Sequence, residues 1–299
     1  MKLFYYQRPD GFPNFGDRLN TWLWQRLLPN FLDEDETTIF VGIGTLINQL
    51  LPQRVSSAKK VIIFSTGVGY EQPLTTIPSH WKIYCVRGKL SAKRLGLSPD
   101  LAIADGGILV GRCFQSHLPK IYEYAYMPHI HHTKFSAPFI QKTCDAIGFK
   151  YIDPRDSIEQ VLSTISQTKI LLAEAMHGAI VADTLRVPWV PIVTSPRILK
   201  LKWQDWCSSV NLPYQPDHLY PLIPGYPRYG RGIQSAIAAC SHWSQSLQQF
   251  PLFHSYSLEQ QLMKVSQSAQ PVLSSEGRIE QLSVQLEQKL AQLQQDFKH

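Results

Sequence analysis

The sequence predicts an α/β protein: two parallel-sheet units followed by a helical tail. Three observations carry this. Over the first hundred residues, short runs rich in Ile, Val and Tyr alternate with segments of helical spacing. The alternation starts again near residue 119. From Ser241 the composition turns to Gln and Ser, with helical pieces broken by "QFPLFHSYS" and "SAQPVLSSEG". The expected divisions are 1–118, 119–240 and 241–299.

In the first unit the strand candidates are "KLFYY", "TIFVGIG", "KVIIFSTGVG", "KIYCVRG" and "LAIADGG". Between them, "GDRLNTWLWQRLL", "TLINQLLPQ" and "KLSAKRLG" read as helices; Leu19, Leu23 and Leu27 fall four apart. Strands separated by helices require crossover connections and therefore a parallel sheet. In the second unit "KIYEYAYMPH" is a strand and "SAPFIQKTCDAIG" a helix closed by Gly148. "FKYIDP", the helix "SIEQVLSTISQT", the strand "KILLAEA", the helix "HGAIVADTLR" and the strand "VPWVPIV" follow. Asp156, three residues before Glu159, is the expected cap of the helix at "SIEQ". Two such units face to face make a cleft. In the tail, Ile279, Leu282, Leu286, Leu290, Leu293 and Phe297 form one stripe with steps of 3, 4, 4, 3 and 4. Packing within the chain explains that stripe more simply than self-association, and homo-oligomer formation stays open. The tail beyond Ser274 shows no site-like grouping and is expected to be dispensable for chemistry, at some loss of stability.

Composition narrows the class. The 299 residues are 44% hydrophobic and 17% charged, a globular balance. The net charge is +6 and the isoelectric point near 9.0. The excess is scattered, with no Lys/Arg block, which argues against nucleic acid and for an anionic small molecule or a membrane surface. The five cysteines are far apart and form no Cys-x-x-Cys pair, so neither a disulfide framework nor structural zinc is expected. The N-terminal apolar run is too short for a secretory signal, and no stretch approaches a membrane span. A reduced, cytoplasmic protein is the expectation.

Ligands of parallel sheets collect beyond the carboxyl ends of the strands. Glycines mark those ends here, among them Gly44 in "VGIGT", followed by Thr45. "VGIGT" lacks the third glycine of a dinucleotide fingerprint, so a nicotinamide site is rejected. In "FPNFGDRLN", Asn14 can bond loop backbone, Gly16 permits close approach and Asp17 can cap the helix. Amides exposed at such a helix start bind anions or sugar hydroxyls. Arg87 ends a strand, and a buried arginine there calls for an anionic ligand or a fixed carboxylate. His177 joins the strand "KILLAEA" to a helix and precedes Gly178, which directs an ionisable ring at the cleft. "SPRILKLKWQDWC" adds Arg197, Lys200 and Lys202 beside the second sheet's carboxyl edge, as anion contacts or as a solvated face. In "YMPHIHH", His129 follows a strand and can face the cleft; with no acidic residue nearby, metal binding is not expected.

Taken together, "NFGD" (14–17), "GIGT" (42–45), "VRGKLSAKRLG" (86–96), "MHGAIVADTLRVPWVPI" (176–192) and "KWQDW" (202–206) resemble the polysaccharide pyruvyl transferase family, especially bacterial exopolysaccharide enzymes of the succinoglycan type. The order is kept from about residue 1 to about 210. The resemblance implies two Rossmann-like domains in a glycosyltransferase-B-like arrangement. It implies phosphoenolpyruvate as donor, a sugar diol as acceptor, a pyruvate ketal and phosphate as products, and no cofactor. It implies that Arg87 holds the donor, aided by an Arg-x-His element at 175–177. Here Ala175 stands in the arginine's place, so one anion contact has to come from elsewhere, with Arg197, Lys200 and Lys202 as candidates. His177 is the candidate acid, and Asp17 or Glu174 the candidate base. A lipid-linked glycan acceptor implies peripheral contact with the cytoplasmic face of the inner membrane. Two other readings stay open: a nucleotide-sugar glycosyltransferase of the same fold, and a non-catalytic glycan-binding protein.

Overall fold

The computed structural model describes residues 1–116, 118–195, 198–219 and 258–297, without the side chains of residues 134 and 135. Two parallel sheets form. The first has the order β1 (Lys2–Phe4), β2 (Thr38–Val41), β3 (Lys60–Phe64), β4 (Trp81–Cys85). The second has the order β6 (Lys150–Tyr151), β5 (Tyr122–Met127), β7 (Thr168–Ala173), β8 (Trp189–Val193), β9 (Asp217–His218). Every ladder in both is parallel. The helices are α1 (Phe15–Leu27), α2 (Leu51–Arg54), α3 (Lys89–Arg94), α4 (Val110–Cys113), α5 (Ile130–Ala146), α6 (Ile158–Ser166), α7 (Met176–Thr184), α8 (Lys200–Ser209), α9 (Leu258–Ser268) and α10 (Glu276–Asp296).

Strand alternation sorts the side chains into layers. Phe40, Ile62, Phe64, Leu171, Ala173, Trp189 and Val193 enter one large core shared by the two sheets. Their neighbours on the same strands, Ile39, Val41, Val61 and Ile63 in the first sheet, Leu172, Val190 and Ile192 in the second, enter a separate outer core on each sheet. With both faces covered, the strands read as continuous apolar runs, as parallel strands do. The shared core joins the units, and α1 ties them further: Phe15 N donates to Pro154 O at 2.7 Å, and Trp22 Nε1 to Glu159 Oε1 at 2.8 Å.

Four elements depart from the sequence reading. "LAIADGG" is not a strand: it makes one bridge, Val86 with Ala102, between the 3-10 turns Pro99–Leu101 and Gly106–Leu109. Pro99 and the paired glycines favour turns there over an extended ladder. The helix seen in "TLINQLLPQ" is confined to α2. The α5 helix begins at Ile130, ahead of "SAPFIQ", with His129 at its N-cap. The cap of α6 is Ser157 rather than Asp156: its hydroxyl accepts from Gln160 N while the Gln160 side chain reaches back, a capping box one residue further on.

The tail does not project. Ile279, Leu282, Leu286, Leu290 and Leu293 of α10 belong to the shared core, and the helix lies against β4 and the turn at Gly106–Leu109. Arg112 forks onto Glu280 and Glu287, and Asp296 accepts from Lys82 and Tyr84. The stripe is therefore consumed within the chain. Upstream of α10, Val272 pairs with Trp189, and Ser274 N donates to Asp183 at 3.0 Å. Residues 241–257 of the Gln-rich segment lie outside the described residues.

Candidate active site

Segments beyond the carboxyl ends of six strands meet in one cleft with roughly 300 Å³ of open volume. Tyr6 and Arg8 follow β1; Gly44, Thr45 and Asn48 follow β2; Tyr70 and Glu71 follow β3. His129 and His131 follow β5, His177 follows β7, and Lys202 follows β8. Asn14, Asp17, Leu46, Arg54, Ile130 and Met176 complete the lining. This is where the parallel-sheet rule puts a ligand.

Asp17 stands in the first turn of α1, where a carboxylate suits the helix dipole. It is not the cap: Asn14 holds that position and donates to Asp17 Oδ2 at 2.7 Å. Burial raises the Asp17 pKa above the ordinary carboxylate range, opposed by the Asn14 hydrogen bond and by the charges of His177, Arg8 and Lys202. A carboxylate desolvated in this way is a stronger base.

His177 lies in the first turn of α7 and packs against the start of α1. A Cβ added at Gly16 would lie 2.2 Å from His177 Nδ1, so only glycine admits the ring there. Its Nε2 turns inward, 3.6 Å from Asp105 Oδ2. His129 is nine-tenths buried and its pKa falls well below the usual histidine value, from burial and then from the charges of Lys202, His131, His132 and Arg8. Lys202 Nζ donates to Tyr70 OH at 3.0 Å. Arg8 forks onto Asp10 at 3.1 and 2.8 Å.

Several expected site residues lie elsewhere. Arg87 has no exposed surface, and its partner is the fixed carboxylate: Nε sits 3.0 Å from Asp205 Oδ2. Its Nη1 donates to Gly44 O at 3.2 Å and Thr45 Oγ1 at 2.7 Å. It supports the cleft's Gly44–Thr45 loop from behind. Asp205 belongs to α8, so it also satisfies the start of α3, through Ser91 N at 2.9 Å. Replacing Arg87 with alanine leaves Asp205 buried without its cation. A stability loss of about 3–5 kcal/mol is expected, read as a lower urea midpoint, with lysine restoring only part. An unchanged midpoint in the alanine variant would remove this role.

Glu174 is also fully buried, accepting from His129 N at 2.9 Å, Thr194 N at 3.0 Å and the Thr194 hydroxyl, with His132 Nδ1 at 2.6 Å. Burial pushes its pKa up, yet the His132 charge and these hydrogen bonds overcome it and hold the carboxyl below its ordinary range. It clamps the ends of β5, β7 and β8 and does not line the cleft. Gly178 serves packing: a Cβ there would meet Met127 Sδ at 2.5 Å. Lys200 is exposed and outside the lining, and Arg197 lies outside the described residues.

Sequence reasoning passed over Tyr6, Arg8, Tyr70 and Asp105. For Tyr6 and Arg8 a signal existed, since "YYQR" directly follows the first strand. Tyr70 and Asp105 have no such local mark.

A mixed-charge cleft between two parallel sheets, with a histidine in the first turn of a helix, is the kind of place where an α/β enzyme binds a polar ligand. The chain belongs to the polysaccharide pyruvyl transferase family, whose model matches residues 14–196. It is similar to the succinoglycan biosynthesis protein ExoV of Rhizobium meliloti (strain 1021), 40% identical over 220 residues that cover 72% of this chain and 67% of that protein. No solved structure matches the chain. Arg8 and Lys202 lie outside the span that the family model matches.

Proposed function

We propose that the protein transfers the pyruvyl group of phosphoenolpyruvate to a sugar diol of an exopolysaccharide, forming a cyclic pyruvate ketal and releasing phosphate. The observation that carries this is the convergence of His177, Asp17, Lys202 and Arg8 on one cleft. A donor bearing a carboxylate and a phosphate needs cations and helix amides. Lys202, Arg8 and Arg54 supply the first, and the uncapped start of α7 the second. With alanine at 175, Lys202 and Arg8 take over the missing anion contact.

His177 delivers a proton to the donor's methylene carbon, which makes C2 electrophilic. A sugar hydroxyl bonds to C2 and passes its proton back to His177. The C2–O bond to phosphate breaks, with the electron pair leaving on phosphate. The second hydroxyl closes the ring through Asp17, and its proton leaves with the phosphate. No cofactor takes part. Two Rossmann-like domains in a glycosyltransferase-B-like arrangement suit this chemistry, and the two parallel sheets around one cleft support that reading. A cytoplasmic site of action on a lipid-linked acceptor belongs to the same proposal.

The test is donor choice. Phosphoenolpyruvate raises the thermal midpoint, whereas nucleotide sugars leave it unchanged. Lys202→Ala weakens phosphoenolpyruvate binding by about 10- to 150-fold in calorimetry, the equivalent of roughly 1.5–3 kcal/mol for a charge-assisted contact. Stabilisation by a nucleotide sugar alone would replace this proposal with a glycosyltransferase.

A further inference from the structure

Beyond the cleft lining, one buried pair lacks partners on both sides. Asp105 has no exposed surface, and only its Oδ1 is used, accepting from Gly107 N at 2.9 Å. Its Oδ2 has no hydrogen bond. Facing it at 3.6 Å is His177 Nε2, which is also buried and without a hydrogen bond. Leaving a buried polar atom unmatched is costly. Two of them aimed at each other across the gap between the units close into one bond with a movement of about half an ångström, since such bonds form at roughly 2.7–3.2 Å. The two sides come from different elements. Asp105 sits at the N-cap of the 3-10 turn Gly106–Leu109, and His177 in the first turn of α7. The turn and α7 pack together, with Gly107 against Ile180.

We propose that Asp105 is the positioning residue for His177. It accepts the Nε2–H of the ring and thereby assigns proton transfer to the other nitrogen. Nδ1 is the nitrogen on the side of Gly16, next to Asp17. Nε2 keeps its proton throughout. Nδ1–H goes to the methylene carbon, and Nδ1 recovers a proton from the attacking hydroxyl, so the ring ends as it began. Gly16 has its place in the same device, since any larger residue would displace Nδ1. The catalytic consequence rests on the function proposed above; the pairing itself does not.

Two measurements test it. Nitrogen-15 spectra of histidine-labelled protein above pH 8, with the His177→Gln variant assigning the signal, report the tautomer directly. His177 is expected to carry its proton on Nε2 in the unaltered protein and to lose that preference in Asp105→Asn. That variant keeps an oxygen for Gly107 N, so the turn stays capped. In steady-state assays Asp105→Asn lowers kcat by about 10²–10⁴-fold, the range for a misplaced acid–base proton. KM for phosphoenolpyruvate changes less than about threefold, because no donor contact is lost. A proton on Nδ1 in the unaltered protein overturns the proposal even if Asp105→Asn fails to fold. So does unchanged kcat in a folded Asp105→Asn protein. If the unaltered protein turns over no phosphoenolpyruvate, the proposed function fails and the spectra still decide the pairing.

Discussion

Replacing His177 with alanine is expected to cut phosphate release from phosphoenolpyruvate by about 10²–10⁴-fold, the usual contribution of a positioned acid–base group. The ring packs against Gly16 and lies between Asp105 and Asp17 at the junction of α1 and α7. His129 is also in the cleft, but burial and surrounding cations keep it neutral, so it is a poor proton donor near pH 7. The fold is expected to survive, because the side chain is 16% exposed and lies outside the apolar cores. Phosphate release and thermal unfolding on the same preparation check both halves. Turnover within a few-fold of normal in a folded His177→Ala protein removes the histidine from the mechanism.

A variant ending at Ser274 is expected to lose the native fold. Ile279, Leu282, Leu286, Leu290 and Leu293 are each more than nine-tenths buried in the core that joins the two sheets. At about 1.5–3 kcal/mol for each buried side chain, their removal costs on the order of 10 kcal/mol, comparable with the whole stability of a typical domain, about 5–15 kcal/mol. The face they cover becomes an exposed apolar patch and invites aggregation. The absence of a cooperative transition by circular dichroism, with aggregation in light scattering, is the expected pair of results. A cooperative transition close to that of the full chain would show α10 to be peripheral. This replaces the milder loss that the sequence suggested: there the stripe was visible, and its partners were not.

The residue classes that were legible share a cause. Strands β1 to β5, β7 and β8 were recognisable because burial in two cores keeps their centres apolar. The cleft rim was recognisable because glycines and the "NFGD" segment fall where strands end. The charged residues were harder. Arg87 and Lys202 both follow strands, yet one is sealed against Asp205 and the other opens on the cleft. Glu174 and Asp17 were equal candidates for the base, yet Glu174 is spent on His129, His132 and Thr194.

By itself the sequence determined the α/β class, the parallel direction of the strands, the family, the placing of His177, Gly44 and Thr45 at strand ends and that of Asn14 and Asp17 at a helix start. These follow from local rules: the side-chain period, the turn residues and the spacing of motifs. The tertiary structure alone decided which charges meet a ligand and which meet each other. Arg87 finds Asp205 across 118 positions, and His177 finds Asp105 from another element. A buried charge must be paired, but any of many distant carboxylates can do it, and only the packed chain selects one.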